Sequence, residues 1–127
     1  MSYVANLEEQ TLHNDNFRQV LFTAKNCQLV VMSLLPGEEI GEEIHELDQF
    51  IRFEAGTGKV ILDDVESEVS DGFAVVIPAG VKHNVINTST EANLKLYTIY
   101  APPEHRDGTI HKTKAEAMAD EADHYHA

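Results

Sequence analysis

Residues 37–56 read GEEIGEEIHELDQFIRFEAG, and two side chains of the kind that bind metals, Glu43 and His45, lie in the middle of this stretch. They are two residues apart, so on a strand both side chains point to the same face. Residues 72–87 read GFAVVIPAGVKHNVIN and supply a second histidine, His83, shortly after a turn signal. Together the two stretches predict one metal site built from separate parts of the chain.

Short apolar runs separated by turn signals occupy most of the chain around these two stretches. The runs, rich in Val, Ile, Phe and Tyr, predict strands at residues 17–23, 29–35, 49–55, 59–62, 65–69, 73–77, 81–86 and 94–100. This spacing is typical of a β-sandwich or barrel. Only the C-terminal segment predicts a helix, at residues 114–122, where Thr113 and Glu116 form a capping-box pattern.

Composition narrows the class of protein. The 127 residues are enough for one domain, and the 9 basic and 22 acidic side chains give a net charge of −13. Such a surface repels phosphate backbones and anionic membranes, so neither nucleic acid nor a membrane is an expected partner. The sequence shows no apolar span or leader, which predicts a soluble, cytoplasmic protein. The single cysteine, Cys27, is expected to be a small buried side chain.

Both stretches keep fixed spacings between glycines and ligand-type residues. The first stretch contains Gly37, Glu43, His45, Gln49 and Gly56, and the gaps between them are five, one, three and six residues long. The second stretch contains Gly72, Pro78, Gly80, His83 and Asn87, and the gaps between them are five, one, two and three residues long. These spacings resemble the two motifs of the cupin family, and the resemblance extends over about residues 16–101.

The resemblance implies an all-β fold, a double-stranded β-helix or jelly-roll barrel, with a short C-terminal helix. We expect residues 1–127 to form a single domain, with the barrel at about residues 16–101 and a C-terminal extension at 102–127. The resemblance also implies four metal ligands, Glu43, His45, Gln49 and His83. Cupins usually have His at the first position and Glu at the third, so this chain has exchanged two ligand types.

The expected cofactor is one divalent transition metal, namely Fe, Mn, Ni, Co or Zn, because two imidazoles and a carboxylate with open positions suit all of them. Two alternatives stay open within the ligand set. Gln49 is either a weak fourth ligand or a buried amide that hydrogen-bonds a ligand or a water. Glu43 is a ligand, a general base, or one more charge in the acidic run 38–43.

Strand alternation predicts an apolar pocket wall made by Ile51, Phe53 and Val85, which we expect to contact the substrate. No Lys or Arg is expected to point inward, so the ligand should be neutral or bind through one metal-bound oxygen or carboxylate. His105 and His111 follow the last strand, and we expect them in a surface loop; the alternatives are a loop that covers a barrel mouth or one that contacts a second subunit.

The sequence has no nucleophile elbow, phosphate loop or catalytic Cys–His pair, so any catalysis belongs to the metal. We favour a metal-dependent, dioxygenase-like oxidoreductase that acts on a small oxygen-bearing compound. The alternatives are a non-catalytic module that binds a metal or a small ligand, and a Lewis-acid isomerase or decarboxylase. We also expect a homodimer, because the run 17–23 is more apolar than one strand face can bury.

Overall fold

The computed structural model describes residues 1–125, whose strands form two antiparallel sheets. The elements are α1 (Leu7–His13), β1 (Arg18–Thr23), β2 (Gln28–Leu34), β3 (Asp48–Ala55), β4 (Thr57–Leu62), β5 (Val65–Ser70), β6 (Ala74–Ile77), β7 (His83–Asn87), β8 (Leu94–Ala101), β9 (Ile110–His111) and α2 (Lys114–Ala119). The larger sheet has the order β6-β3-β8-β2-β1-β9 and the smaller one β5-β4-β7. The predicted all-β jelly-roll barrel with a short C-terminal helix is confirmed.

One apolar core holds the sheets together. On β3 the alternation is as expected, with Ile51 and Phe53 fully buried and Phe50 half-buried. The smaller sheet contributes Val60 and Val85 to the same core. Burial of such side chains supplies most of the favourable free energy of folding, about 1.5–3 kcal/mol for each large one. No part of this core requires a bound ion.

An irregular segment between β2 and β3 runs alongside β7 and extends the smaller sheet. Glu43 and His83 form an isolated β-bridge, in which each backbone N–H donates to the carbonyl of the other at 2.9 Å. A second bridge joins Glu39 and Ile86. The sequence suggested that Glu43 and His45 lie on a regular strand, and this is wrong. The isolated bridge nevertheless fixes Glu43 directly beside His83.

The N-terminal helix α1 was not expected from the sequence. Its N-cap, Asn6, accepts a hydrogen bond from the backbone N–H of Glu9 at 3.1 Å. Thr11 is completely buried and donates to the Leu7 carbonyl at 2.7 Å. The Asn6-to-Glu9 spacing is itself a capping pattern that could have indicated this helix. The segment was missed because it carries few apolar residues and so lacks a clear helical period.

The C-terminal extension folds back onto the barrel. After β8, strand β9 pairs with β1, with Arg18 opposite His111. Thr113 caps α2 by accepting from Glu116 N–H at 3.2 Å, as predicted, although α2 ends before residue 122. His105 and His111 are only 7% and 4% exposed, so the expectation that they lie in a surface loop is wrong. The pairing of β9 with β1 encloses His111, and contacts with Asp123 and Tyr100 enclose His105.

Cys27 is exposed, so the expectation of a buried cysteine is also wrong. It lies in the turn between β1 and β2, which a hydrogen bond from Ala24 N–H to its carbonyl closes at 2.9 Å. The apolar runs on either side of Cys27 belong to two strands, and the residue between them faces solvent.

The apolar surface that suggested a dimer is partly covered by the chain itself. Phe17 and Val20 are buried, and Tyr3 stacks on Phe22 with ring centroids 5.5 Å apart. Strand β9 occupies the outer edge of β1. The homodimer stays a prediction. Among residues 1–125, no helix is long and apolar enough to cross a membrane.

Candidate functional site

Three of the four expected metal ligands converge at one end of the barrel. One donor atom each from Glu43, His45 and His83 lies within 4.8 Å of the other two. Two metal–ligand bonds of about 2.1 Å place donor atoms at most about 4.2 Å apart, so the observed spacing is close to that of a metal site. The set of one carboxylate and two imidazoles is a donor set that divalent transition metals accept.

The orientation of His83 suits a ligand. Its side chain is buried, and Nδ1 lies 2.9 Å from the Val81 carbonyl. A carbonyl only accepts, so Nδ1 carries the proton and the lone pair is on Nε2. Metal-bound histidines commonly have their second nitrogen held in this way, which fixes both the tautomer and the ring plane.

Gln49 lies beside this group and is 5% exposed. Its amide Nε2 donates to Thr98 Oγ1 at 3.0 Å, which leaves Oε1 as the free acceptor. Oε1 and the His45 Nδ1 are both buried without a hydrogen-bond partner. Gln49 also contributes to raising the pKa of His45, so the amide is a neighbour of that ring. The structure is compatible with both expectations for Gln49, a fourth ligand or an amide that orients His45.

Glu43 and His45 form a close pair, with Oε2 and Nε2 separated by 3.1 Å. Burial on its own would raise the pKa of Glu43, but the hydrogen bond and charge of His45, with the charges of Arg18 and His83, lower it. Burial would likewise lower the pKa of His45, but Glu43, Glu104 and Gln49 raise it. The Glu43 carboxyl thus has a lowered pKa and the His45 imidazole a raised pKa at the position where the three donor atoms meet.

A cavity of about 230 Å³ adjoins this group, and Glu43 is part of its wall. Phe17 and Arg18, at the start of β1, line the cavity, and helix α2 contributes Ala117 and Met118. The wall also includes His105 and Asp123 of the C-terminal extension. The extension therefore builds a substantial part of the cavity, which a barrel limited to residues 16–101 would lack.

Ile51, Phe53 and Val85, the expected substrate contacts, lie elsewhere. They are 0–1% exposed members of the core and do not line this cavity. Their role as substrate contacts stays a prediction. The expectation that no arginine points inward is wrong, because Arg18 is only 9% exposed and lines the cavity. Alternation on β1 places it on the same face as the buried Val20.

Sequence reasoning missed a polar cluster that ties the extension to the barrel. The fully buried Gln28 accepts from His105 N–H at 2.9 Å through Oε1 and donates to the His105 carbonyl at 2.8 Å through Nε2. His105 Nδ1 lies 2.8 Å from Asp123 Oδ2. Asp123 also accepts from Arg106 N–H at 3.1 Å and from Thr109 Oγ1 at 3.0 Å.

The charges in this cluster are set by burial and by these contacts. Burial, aided by the charge of Arg18, lowers the pKa of His105, although Asp123 opposes the shift. Burial would raise the pKa of Asp123, but the hydrogen bond and charge of His105, with Arg106 N–H and Thr109, hold it well below its usual range. The His105 ring makes an edge contact with the Tyr100 ring, with 5.1 Å between the ring centroids.

We predict that Asp123→Asn lowers the free energy of unfolding at pH 7 by about 2–3 kcal/mol, because a charged acceptor with several donors is lost. Because folding lowers the pKa of the Asp123 carboxyl, this group stabilises the folded protein at pH values above 3.8, its pKa in the unfolded chain. The stabilisation is lost as the pH falls from 3.8 through the pKa of the carboxyl in the folded protein. The variant should therefore lose less stability than the parent below about pH 4. Urea denaturation from pH 7 to pH 3 measures both effects.

The matched control is Asp107→Asn, which removes the same charge from an exposed position of the extension. It should unfold like the parent at every pH. Equal effects of the two substitutions would contradict the assignment of Asp123 as the anchor of the extension.

Of the remaining histidines near the C-terminus, His124 is exposed and contributes to the cavity wall. His126 lies outside the described residues. Residues 120–123 pack onto the barrel, since Asp123 is 8% exposed and Asp120 accepts from His111 Nε2 at 3.0 Å.

Comparison with known proteins agrees with the fold. The family model described as "Cupin domain" matches residues 30–100. The uncharacterised protein YrkC of Bacillus subtilis is 48% identical over 126 residues, covering 94% of this chain and 67% of that protein. The uncharacterised protein L612 of Acanthamoeba polyphaga mimivirus is 46% identical over 112 residues, covering 85% of this chain and 70% of that protein. The crystal structure of BH2720 from Bacillus halodurans superposes with a TM-score of 0.91 at 48% identity, covering 94% of this chain and 95% of that one.

Proposed function

This chain belongs to the cupin family. On that premise we propose that it binds one divalent transition metal and is a metal-dependent enzyme. The proposed enzyme is a dioxygenase-like oxidoreductase that acts on a small oxygen-bearing compound. The observation that carries the proposal is the convergence of Glu43, His45 and His83, whose donor atoms lie within 4.8 Å of one another. The adjoining cavity supports a small-molecule ligand rather than a purely structural ion.

In this proposal Glu43, His45 and His83 hold the metal, and Gln49 either completes the ligand set or orients His45. The metal, Fe, Mn, Ni, Co or Zn, supplies redox or Lewis-acid chemistry when bound. The Val81 carbonyl keeps the lone pair of His83 on Nε2. Where Glu43 is not a ligand, it is the carboxylate of this group that accepts a proton from the substrate.

Tyr100 adds a neutral group near the metal ligands, since its ring lies 6.1 Å from that of His45. Burial, with the charges of Glu43, Glu104 and Asp123, raises the pKa of Tyr100 far above its usual value, although Arg18 opposes the shift. The hydroxyl therefore stays protonated and is a hydrogen-bond donor rather than a base.

The second candidate is a non-catalytic module that binds a metal or a small ligand, and the third is a Lewis-acid isomerase or decarboxylase. The two enzyme classes differ in the metal they need, because an oxidoreductase requires a redox-active ion and a Lewis acid does not. We propose a small molecule as the partner, and a cytoplasmic location stays a prediction.

Elemental analysis of the protein purified without added metal tests the proposal. We expect about one transition metal ion per chain, or one site per chain on titration of metal-free protein with Mn²⁺ or Zn²⁺. A redox-active ion with oxygen consumption on addition of a candidate substrate would support the oxidoreductase. Absence of a site tighter than about 0.1 mM would overturn the proposal.

We predict that Gln49→Glu tightens binding of Mn²⁺ or Zn²⁺ by about 10-fold or more, because a carboxylate replaces a neutral amide beside His45. Gln49→Leu, which keeps the volume and removes the oxygen, should weaken binding about 10- to 100-fold. Isothermal titration measures both. Unchanged affinity in both variants would mean that Gln49 neither binds the metal nor orients a ligand.

A further inference from the structure

Arg18 is a feature of the cavity that the metal site does not explain. It is 9% exposed and lies in the cavity wall with Glu43. Within residues 1–125 its side-chain polar contacts are made through Nη1, which is 3.4 Å from His111 Nδ1 and 3.9 Å from Asp123 Oδ2. The Nε atom is buried without a hydrogen-bond partner. Among residues 1–125, the edge of the guanidinium formed by Nε and Nη2 therefore has no hydrogen-bond acceptor.

The acidic groups near Arg18 are already engaged by other donors. Asp123 accepts from His105 Nδ1 at 2.8 Å and makes only the long contact to Arg18. Glu43 lies 3.1 Å from His45 Nε2 and belongs to the metal site. A buried guanidinium with an unmatched edge is costly, and that edge has the fork geometry that carboxylates bind bidentately.

The cavity limits the size of an acceptor that reaches this edge. Its volume of about 230 Å³ corresponds to roughly eight water molecules at about 30 Å³ each. Lys114 of α2 adds a second cation to the wall, whereas Glu104 and Asp120 add negative charge. With Glu43 and Asp123 counted, the wall holds four carboxylates and two cations, a balance that disfavours an anion of high charge and leaves Arg18 as the group that binds a single negative charge.

We propose that Arg18 is a carboxylate-binding residue of this cavity, and that the ligand is a small monocarboxylate with a second oxygen atom. The carboxylate binds the Nε–Nη2 edge of Arg18, and the second oxygen is directed toward the metal site at Glu43. The orientation of the second oxygen rests on the proposed function, but the contact with Arg18 does not. This changes the expectation that the ligand is neutral or binds through one metal-bound oxygen or carboxylate, which assumed that no arginine points inward.

The experiment uses pyruvate and pyruvamide, which have the same number of non-hydrogen atoms and differ in charge at one end. Binding is measured by isothermal titration and thermal shift on the full chain, once metal-free and once loaded with Mn²⁺. We expect the parent to bind pyruvate at least 10-fold more tightly than pyruvamide in both forms. Arg18→Gln should abolish this preference. Arg18→Lys should lose most of it, because a point charge replaces the fork.

The matched control is Arg52→Gln, which removes the same charge from β3 at a half-buried position outside the cavity wall. It should keep the preference for pyruvate. If Arg18→Gln does not fold, Arg18→Lys and the parent's preference decide the outcome.

The results separate the two proposals. Equal binding of pyruvate and pyruvamide by the parent overturns the role of Arg18, as does a preference that survives Arg18→Gln or appears only with Mn²⁺. A preference that depends on Arg18 in metal-free protein, in a chain that binds no metal, supports the role of Arg18 and overturns only the metal-dependent function.

Discussion

His83→Ala is expected to weaken binding of Mn²⁺ or Zn²⁺ by more than about 100-fold while leaving the barrel folded. The variant removes the most buried of the three converging donors. Mutation of groups that only orient metal ligands already lowers metal affinity about 10- to 100-fold, so loss of a ligand itself should lower it more. The core consists of Val, Ile, Leu and Phe side chains that do not depend on an ion. Metal titration gives the affinity, and circular dichroism with thermal unfolding of metal-free protein gives the fold.

The control for this variant is His13→Ala, at a histidine whose side chain is 77% exposed on α1. It should bind metal like the parent. An unfolded His83→Ala protein would mean that the residue is structural, which weakens the proposed enzyme. Unchanged metal affinity in a folded His83→Ala protein would contradict the metal site itself.

The convergence of Glu43, His45 and His83 could be predicted because these residues follow fixed spacings along the chain. Glu43 and His45 are two residues apart, and the β-bridge between Glu43 and His83 brings the two motifs together. Alternation along β8 leaves open whether the even-numbered or the odd-numbered side chains of residues 94–100 face inward. The register of β8 with β2 and β3 selects the face of Leu96 and Thr98, both fully buried.

The cavity could not be predicted because its wall comes from irregular and distant parts of the chain. Arg18 stands at the start of β1, and its burial depends on β9 and on Asp123, which lie about a hundred residues later. Hydrogen bonds to Gln28 and Asp123, rather than an apolar period, position His105. Pattern analysis detects repeating apolar positions, so it has no signal for a polar contact between single residues.

Gly56→Ala is expected to lower the free energy of unfolding by about 3 kcal/mol or more. Gly56 ends the first motif with φ of +91°, a conformation that costs a residue with a Cβ about 1 kcal/mol or more. An added Cβ would also lie 2.6 Å from the Asn93 carbonyl oxygen, which is backbone and cannot move aside without shifting β8. The strain and the clash therefore act together.

Gly72→Ala separates these two causes. Gly72 has nearly the same φ, +90°, but an added Cβ would meet nothing within 4 Å. It should therefore show the conformational cost alone, about 1 kcal/mol. Urea denaturation of the two variants and the parent measures the difference, which should be about 2 kcal/mol in favour of Gly72→Ala. Equal losses would show that the close approach between Gly56 and Asn93 does not constrain the barrel, and that the motif glycine is required only for its positive φ.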